Sequence, residues 1–200
     1  EGAFAGSELK NISIPGTVKE INSPLLSHCT TLKKVSIGEG VEKLWGGVFE
    51  GCENLEEVNF PDSLEVLYGT FNGCKSLTKI HLKENLSYIG YNSFRNCSSL
   101  VSITIDGHIT TLGEHAFDGC CSLKSIAFNH GIHALNRAFD HCTNLEFIYF
   151  RGDYEHLDFD ISYQFQDCRN LKAIYVPSKY YALFMSKIDK KHAGLIIIED

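Results

Sequence analysis

Apolar residues recur along this chain in a fixed figure, not in the simple period of a helix or an isolated strand. In the segment from Cys97 to Gly119 they fall at Cys97, Leu100, Ile103, Ile105, Ile109, Leu112 and Phe117. The figure repeats over almost the whole chain every 22 to 23 residues, its opening leucine recurring at Leu9, Leu32, Leu55, Leu77, Leu100, Leu123, Leu145 and Leu171. A fixed period of this size marks a solenoid, built by stacking one small unit on the next. Each copy ends its Leu-x-x-Val-x-Ile segment in alternating apolar residues, the period-2 signature of a strand with one buried face. Val35 and Ile37 therefore face inward, and Lys34, Ser36 and Gly38 face outward. Stacking predicts one parallel sheet of about eight strands, spaced at about 4.8 Å. The second apolar pair, such as Val41 and Leu44, belongs to the return side of the coil as short strand or 3₁₀ pieces. Gly51, Gly73, Asn96 and Gly119 mark corners, where Gly and Asn tolerate left-handed backbone.

The copies degrade at both ends. Phe4-Ala5-Gly6-Ser7 stands where later copies carry Phe-x-Gly-Cys. The seventh copy keeps register through Cys142, Leu145, Ile148, Phe150, Tyr154 and Leu157, but Phe165 arrives three residues late. Asp158 to Gln164 is therefore read as an insertion in the turn. An eighth opening follows at Cys168, Leu171, Ile174 and Val176, so the repeats occupy about residues 3–176. Residues 177–200 read as a C-terminal cap. Ser178 is placed to cap a helix whose one face carries Tyr181, Phe184, Met185 and Ile188, with Lys187, Lys190 and Lys191 near its end. Gly194 breaks it before a strand from Leu195 to Ile198. One copy cannot fold by itself, because its few buried side chains release less free energy than ordering its backbone takes up. The expectation is a single solenoid domain over residues 1–200. Glu1 falls inside a repeat, which points to a piece of a larger protein.

Charge narrows the partners. With 25 acidic against 18 basic residues and a net charge of −7, the chain is a poor match for nucleic acid, whose phosphates need clustered Lys and Arg. No apolar run approaches the roughly 18 residues of a membrane span, so direct membrane insertion is not expected. Seven of the eight cysteines occupy one slot in successive copies: Cys29, Cys52, Cys74, Cys97, Cys120, Cys142 and Cys168. They read as an inert ladder of small buried hydrophobes. No tight C-x₂-C pair is available to zinc. Cys121 stands beside the ladder, points the other way, and is the candidate reactive thiol. The histidines form no HExxH, and His130 and His133 read as solvated turn residues. No nucleophile set, carboxylate pair or phosphate loop stands out, so neither catalysis nor a metal or cofactor is expected. Arg151-Gly152-Asp153 spells the integrin tripeptide, a match short enough to arise by chance.

The best-preserved copy reads Leu100-x-x-Ile103-x-Ile105, Ile109-x-x-Leu112-Gly113 and Ala116-Phe117-Asp118-Gly119-Cys120. This resembles the BspA-like subfamily of leucine-rich repeats, as does the closing Ile174-Tyr175-Val176-Pro177. The resemblance implies an α/β leucine-rich-repeat solenoid, right-handed, with a concave parallel sheet, an irregular convex side and a C-terminal capping helix. It also implies a place on surface or secreted proteins of host-associated bacteria and some protozoa, with roles in adhesion to host or matrix proteins. Trp45, Tyr68 and Asn136 depart from the pattern, standing where Gly90 and Gly113 hold the family glycine.

The outward positions of the concave strands run Ser13, Ser36, Asn59, His81, Thr104, Ala127, Tyr149 and Tyr175. Small and polar residues give way to Phe147, Tyr149, Arg151 and Tyr175 near the C-terminal end. Exposed aromatics beside an Arg are what interface hot spots use. These four, with His81 earlier in the row, are the candidate ligand-binding residues. The competing expectation is that the insertion or the cap covers them. The function that follows is a monomeric, non-catalytic module recognising a protein or glycan on its concave face. The alternative is a structural spacer with no ligand of its own.

Overall fold

Each copy lays down one turn of a coil. The computed structural model, which describes residues 2–155, 157 and 160–200, stacks eight such turns. The long strands are Asn11–Ile14, Lys34–Ile37, Glu57–Asn59, Lys79–Leu82, Ser102–Ile105, Ser125–Phe128, Phe147–Phe150 and Ala173–Val176. Every pairing between them is parallel and follows the repeat, so Ile80, Ile103, Ile126, Ile148 and Ile174 sit side by side. The pleat buries Val35 and Ile37 and leaves Lys34 and Ser36 in water.

The return side is more regular than its spacing implied. Glu20–Ile21, Lys43–Leu44, Val66–Leu67, Tyr88–Ile89, Thr111–Leu112 and Ala134–Leu135 form a six-stranded parallel sheet of two-residue strands. A third ladder runs along the corner before each cysteine, where Phe94 and Asn96 donate their N–H groups to Ala116 and Asp118 of the next turn. Residues four apart in that corner adopt positive φ: His115 at 58° with Gly119 at 74°, and Arg137 at 46° with His141 at 58°. Left-handed backbone is therefore a property of the turn itself. It is imposed on His and Arg as well as on the glycines and Asn96 expected there.

The core is one continuous apolar cluster from Ile14 to Ile196. Its spine is a file of stacked rings, Phe49, Phe71, Phe94, Phe117 and Phe139, with centroids 5.3 to 5.7 Å apart. Phe165 continues the file 6.1 Å beyond Phe139 despite its late arrival in sequence. Asp158 and Phe159 of the expected insertion lie outside the described residues. The part from 160 onward includes a 3₁₀ turn, Ile161–Gln164.

Three expectations need correction. The long strands do not form one sheet: they divide into a three-stranded sheet and a six-stranded sheet, parted between Glu57–Asn59 and Lys79–Leu82. Pro61 has no N–H to donate back to the preceding turn, so the strand before it ends at Asn59, a residue early, and its pairing with Lys34–Ile37 stops at Ser36. The capping helix is only Tyr181–Ser186, preceded by a 3₁₀ turn Ser178–Tyr180, and no side chain caps it. Tyr180 and Phe184 bury, Tyr181 stays exposed, and Ile188 lies beyond the helix. Finally, Ala173 stands at the repeat position where the alternation puts Lys34 outward, and it is buried. The terminal apolar run does form a strand, Ile196–Ile198, and it adds a ninth member to the long-strand side by pairing parallel with Ala173–Val176.

Candidate functional site

Register alone assembles the candidate residues into one outward row. Reading across paired strands, it runs His81, Thr104, Ala127, Tyr149, Tyr175 and Ile197. At about 4.8 Å per strand, His81 lies some three strands from Tyr149 and belongs to a different part of the face. His81 instead pairs with Asp106, Nε2 to Oδ2, and that hydrogen bond holds the Asp106 carboxyl below the usual carboxylate range.

The aromatic end is a built patch. The rings of Tyr149 and Tyr175 stack at 4.7 Å with their planes 4° apart, and Phe147 lies 6.3 Å from Tyr175. The Arg151 guanidinium sits 4.7 Å above the Tyr149 ring. Arg151 also donates to both carboxylate oxygens of Glu199, at 3.2 and 3.3 Å. These hydrogen bonds are the main reason its pKa is raised further. Phe147, Tyr149 and Tyr175 are half-buried, largely by one another, and Arg151 is exposed. The patch is thus partly open to solvent and is flanked by Ile197 and Glu199 of the cap. Sequence reasoning missed Ile197 and Glu199, which extend it. The signal was present in the alternation of Leu195–Ile198, but nothing local showed that this run would join the same sheet. The tripeptide Arg151-Gly152-Asp153 is not free for recognition: Glu199 holds Arg151, and the Tyr180 hydroxyl donates to Asp153.

The thiol ladder does more than fill space. Each ladder cysteine donates its S–H to a carbonyl of the preceding turn, Cys74 to Phe49, Cys97 to Phe71, Cys120 to Phe94 and Cys142 to Phe117, all at 3.1 to 3.2 Å. A Leu in this slot would supply volume without that weak bond. Burial pushes the Cys52 and Cys168 thiols up to about 12 and those of Cys74, Cys97, Cys120 and Cys142 well above their usual range. Cys121 is exposed. Titration of the native protein with a thiol reagent should therefore count one fast group, slow modification of half-buried Cys168, and all eight thiols only after unfolding. Fast reaction of several thiols in the folded state would contradict the ladder.

The corner beside the ladder holds buried charge that sequence reasoning did not find. Asp118, 8% exposed at its side chain, accepts from Arg95 Nε at 3.0 Å and His141 Nδ1 at 2.8 Å. Asp140, fully buried, takes Arg137 at 2.8 Å. The partners of Asp118 lie one full repeat away on either side, whereas Arg137 and Asp140 are three residues apart in one corner. Among the described residues no group of His, Cys, Asp and Glu side chains is placed to hold a metal ion. None of the helices found among them is long and apolar enough to cross a membrane.

This coil belongs to the BspA type leucine rich repeat region family, whose model matches residues 1–69 and 65–186 in six copies. Its fold is similar to that of the leucine-rich repeat protein of T. pallidum, with a TM-score of 0.71 at 21% identity, over 92% of this chain and 86% of that one. It is also similar to the pneumococcal vaccine antigen PcpA, with a TM-score of 0.55 at 20% identity, over 96% of this chain but 42% of that one. No curated protein sequence matches the chain.

Proposed function

We propose that this chain is a non-catalytic recognition module which binds a protein ligand on the long-strand face, at Phe147, Tyr149, Arg151 and Tyr175. The observation that carries the reading is the stacked Tyr149–Tyr175 pair, topped by Arg151 and left open at the end of a row that is otherwise small or polar. Parallel strands hold these rings, so little side-chain entropy remains to be lost on binding, and large amphipathic rings supply most of the contact energy in interfaces. Exposed Ile197 enlarges the apolar part. His81 lies apart from this cluster and serves at most its rim. Family membership and the vaccine-antigen character of PcpA support a cell-surface or secreted setting and a role in adhesion or host contact.

The N-terminal turns fit the spacer alternative better. Their outward charges satisfy one another from turn to turn, Lys33 with Glu56 and Lys34 with Glu57. A comparison of wild type with a Tyr149→Ala, Tyr175→Ala variant on an array of purified matrix and surface proteins decides between the two. Recognition is supported if a protein retained by wild type is lost, by at least about tenfold in affinity, from a variant that still folds. Equal retention by both, or none by either, leaves the spacer reading.

A further inference from the structure

We infer that the chain carries a second binding site, for a neutral β-linked glycan chain, on the short-strand side and independent of the patch around Tyr149 and Tyr175. Three rings make it. Trp45 and Tyr68 stand at one repeat position, directly after the short strands Lys43–Leu44 and Val66–Leu67. In the next two turns Gly90 and Gly113 hold that position. Tyr88 opens the short strand Tyr88–Ile89 and pairs with Val66 on one side and Thr111 on the other. The Trp45 and Tyr68 rings lie 5.8 Å apart with their planes tilted by 37°. Tyr68 then leans over Gly90 to meet Tyr88: a Cβ at Gly90 would fall 2.4 Å from Tyr68 Cδ2 and 2.7 Å from Tyr88 Cε1. The bare glycine lets the rings of adjacent turns join. Trp45, Tyr68 and Tyr88 thus form one strip across the second, third and fourth turns.

What this strip shows to solvent points to its ligand. The aliphatic residues of the same strands, Leu44, Leu67 and Ile89, are fully buried, and Val66 is nearly so. Tyr68 is exposed, as is Tyr91 one residue past Gly90, and Trp45 and Tyr88 are half-buried. The apolar surface is therefore almost wholly ring, and each ring ends in a polar group. Among the described residues, no protein group hydrogen-bonds the Trp45 indole N–H or the hydroxyls of Tyr68 and Tyr88. Rings with free polar tips suit sugars, whose C–H faces lie on the π-systems and whose hydroxyls bond at the edges. The rings advance one turn at a time, at about 4.8 Å. A chain of equatorially β-linked hexoses is a flat ribbon that advances by nearly the same step, so successive sugars meet successive rings.

Charge selects among ligands. Lys43, two residues before Trp45, is committed to Glu20, and Lys19 beyond it to Glu42. Glu65 adds an exposed carboxylate close to both lysines. An excess of acid beside the strip disfavours nucleic acid, anionic lipid and acidic polysaccharide, all of which need uncommitted Lys or Arg. A neutral glycan needs only the ring faces and their polar tips. A proline-rich peptide, which also docks on aromatic surfaces, is the occupant that the experiment separates from it.

Trp45 is the only tryptophan of the chain, so its fluorescence reads the strip directly. The full chain is titrated with cellohexaose, mannohexaose and N-acetylchitohexaose, each up to about 10 mM, which suits the modest affinity of a few stacking rings. A saturable shift of the Trp45 emission is expected with at least one of them. Tyr68→Ala should weaken that affinity about tenfold, and Tyr68→Phe should keep it within about threefold, because the ring face supplies most of the contact. Tyr68 is exposed, so both variants should fold with an unchanged Tm. The Tyr149→Ala, Tyr175→Ala variant should bind these glycans as wild type, which separates this site from the protein-binding face. No saturable shift with any of the three glycans overturns the site, as does unchanged affinity in Tyr68→Ala or lost binding in the Tyr149→Ala, Tyr175→Ala variant. Tighter binding of decaproline than of every neutral glycan overturns it as well.

Discussion

Raising the pH from 8 to 10 under reducing conditions is expected to unfold this protein steeply. Six ladder thiols, those of Cys52, Cys74, Cys97, Cys120, Cys142 and Cys168, are held protonated by burial, Cys52 and Cys168 up to about 12. In the unfolded chain a thiol ionises near about 8.5. Above that pH the unfolded state gives up protons that the folded state keeps. The folded pKa is the raised one, so the stabilisation is complete below about 8.5 and is lost as pH climbs toward the folded value. Each thiol contributes a loss of about 1.4 kcal/mol per pH unit, and the six together up to about 8 kcal/mol per unit. A domain stability of about 5–15 kcal/mol is exhausted within one to two such units. Denaturant titrations at a series of pH values measure the slope directly. Cys97→Ala, Cys120→Ala removes two of the six groups and should lower that slope by about a third. A stability that stays flat between pH 8 and 10 would show that the ladder thiols are not buried as described.

Phe94→Ala should lower stability by about 3–5 kcal/mol at neutral pH. Phe94 is fully buried at the middle of the ring file, 5.4 Å from Phe71 and 5.3 Å from Phe117. The coil cannot collapse around the gap, because the strands of both neighbouring turns are hydrogen-bonded at fixed spacing on either side. The loss therefore combines the transfer term, the cavity term and two ring contacts. Phe4→Ala is the matched control, since Phe4 is half exposed in the first turn, and it should change stability by less than about 0.5 kcal/mol. Trp45, the only tryptophan, gives a fluorescence signal for both measurements. A loss under about 1 kcal/mol for Phe94→Ala would mean that the file of rings does not hold the turns together.

The sequence made the coil readable because its information is local and repeated eight times. A Leu, Val or Ile in each slot need only face inward, and the long-strand register follows from the period. The cap was harder to read, since a single copy carries no repetition to average over. Tyr180 and Tyr181 are equally good candidates for a buried face, and tertiary packing against the last turn chose Tyr180. The candidate ligand face was legible at Phe147, Tyr149, Arg151 and Tyr175, since pleating fixes which side chains point out. Glu199 was not, because its meeting with Arg151 depends on where the final strand pairs. Arg95 with Asp118, a repeat apart, and Arg137 with Asp140, within one corner, lay hidden because polar residues in corners carry no hydrophobic pattern to place them.

The break after Asn59 has a mechanical consequence. A stacked coil resists pulling along its axis through the ladders that tie each turn to the next, and three such ladders run through most of this one. Between the third and fourth turns the long-strand ladder is missing, while the short-strand pairing of Val66–Leu67 with Tyr88–Ile89 and the corner bond from Phe71 to Ser93 continue. Tension applied to a tethered molecule concentrates at that joint. The first three turns are set to peel away as a unit while the aromatic patch, beyond the joint, keeps its shape. The parting after Asn59 thus gives the coil a fracture line, and the aromatic patch lies on its C-terminal side.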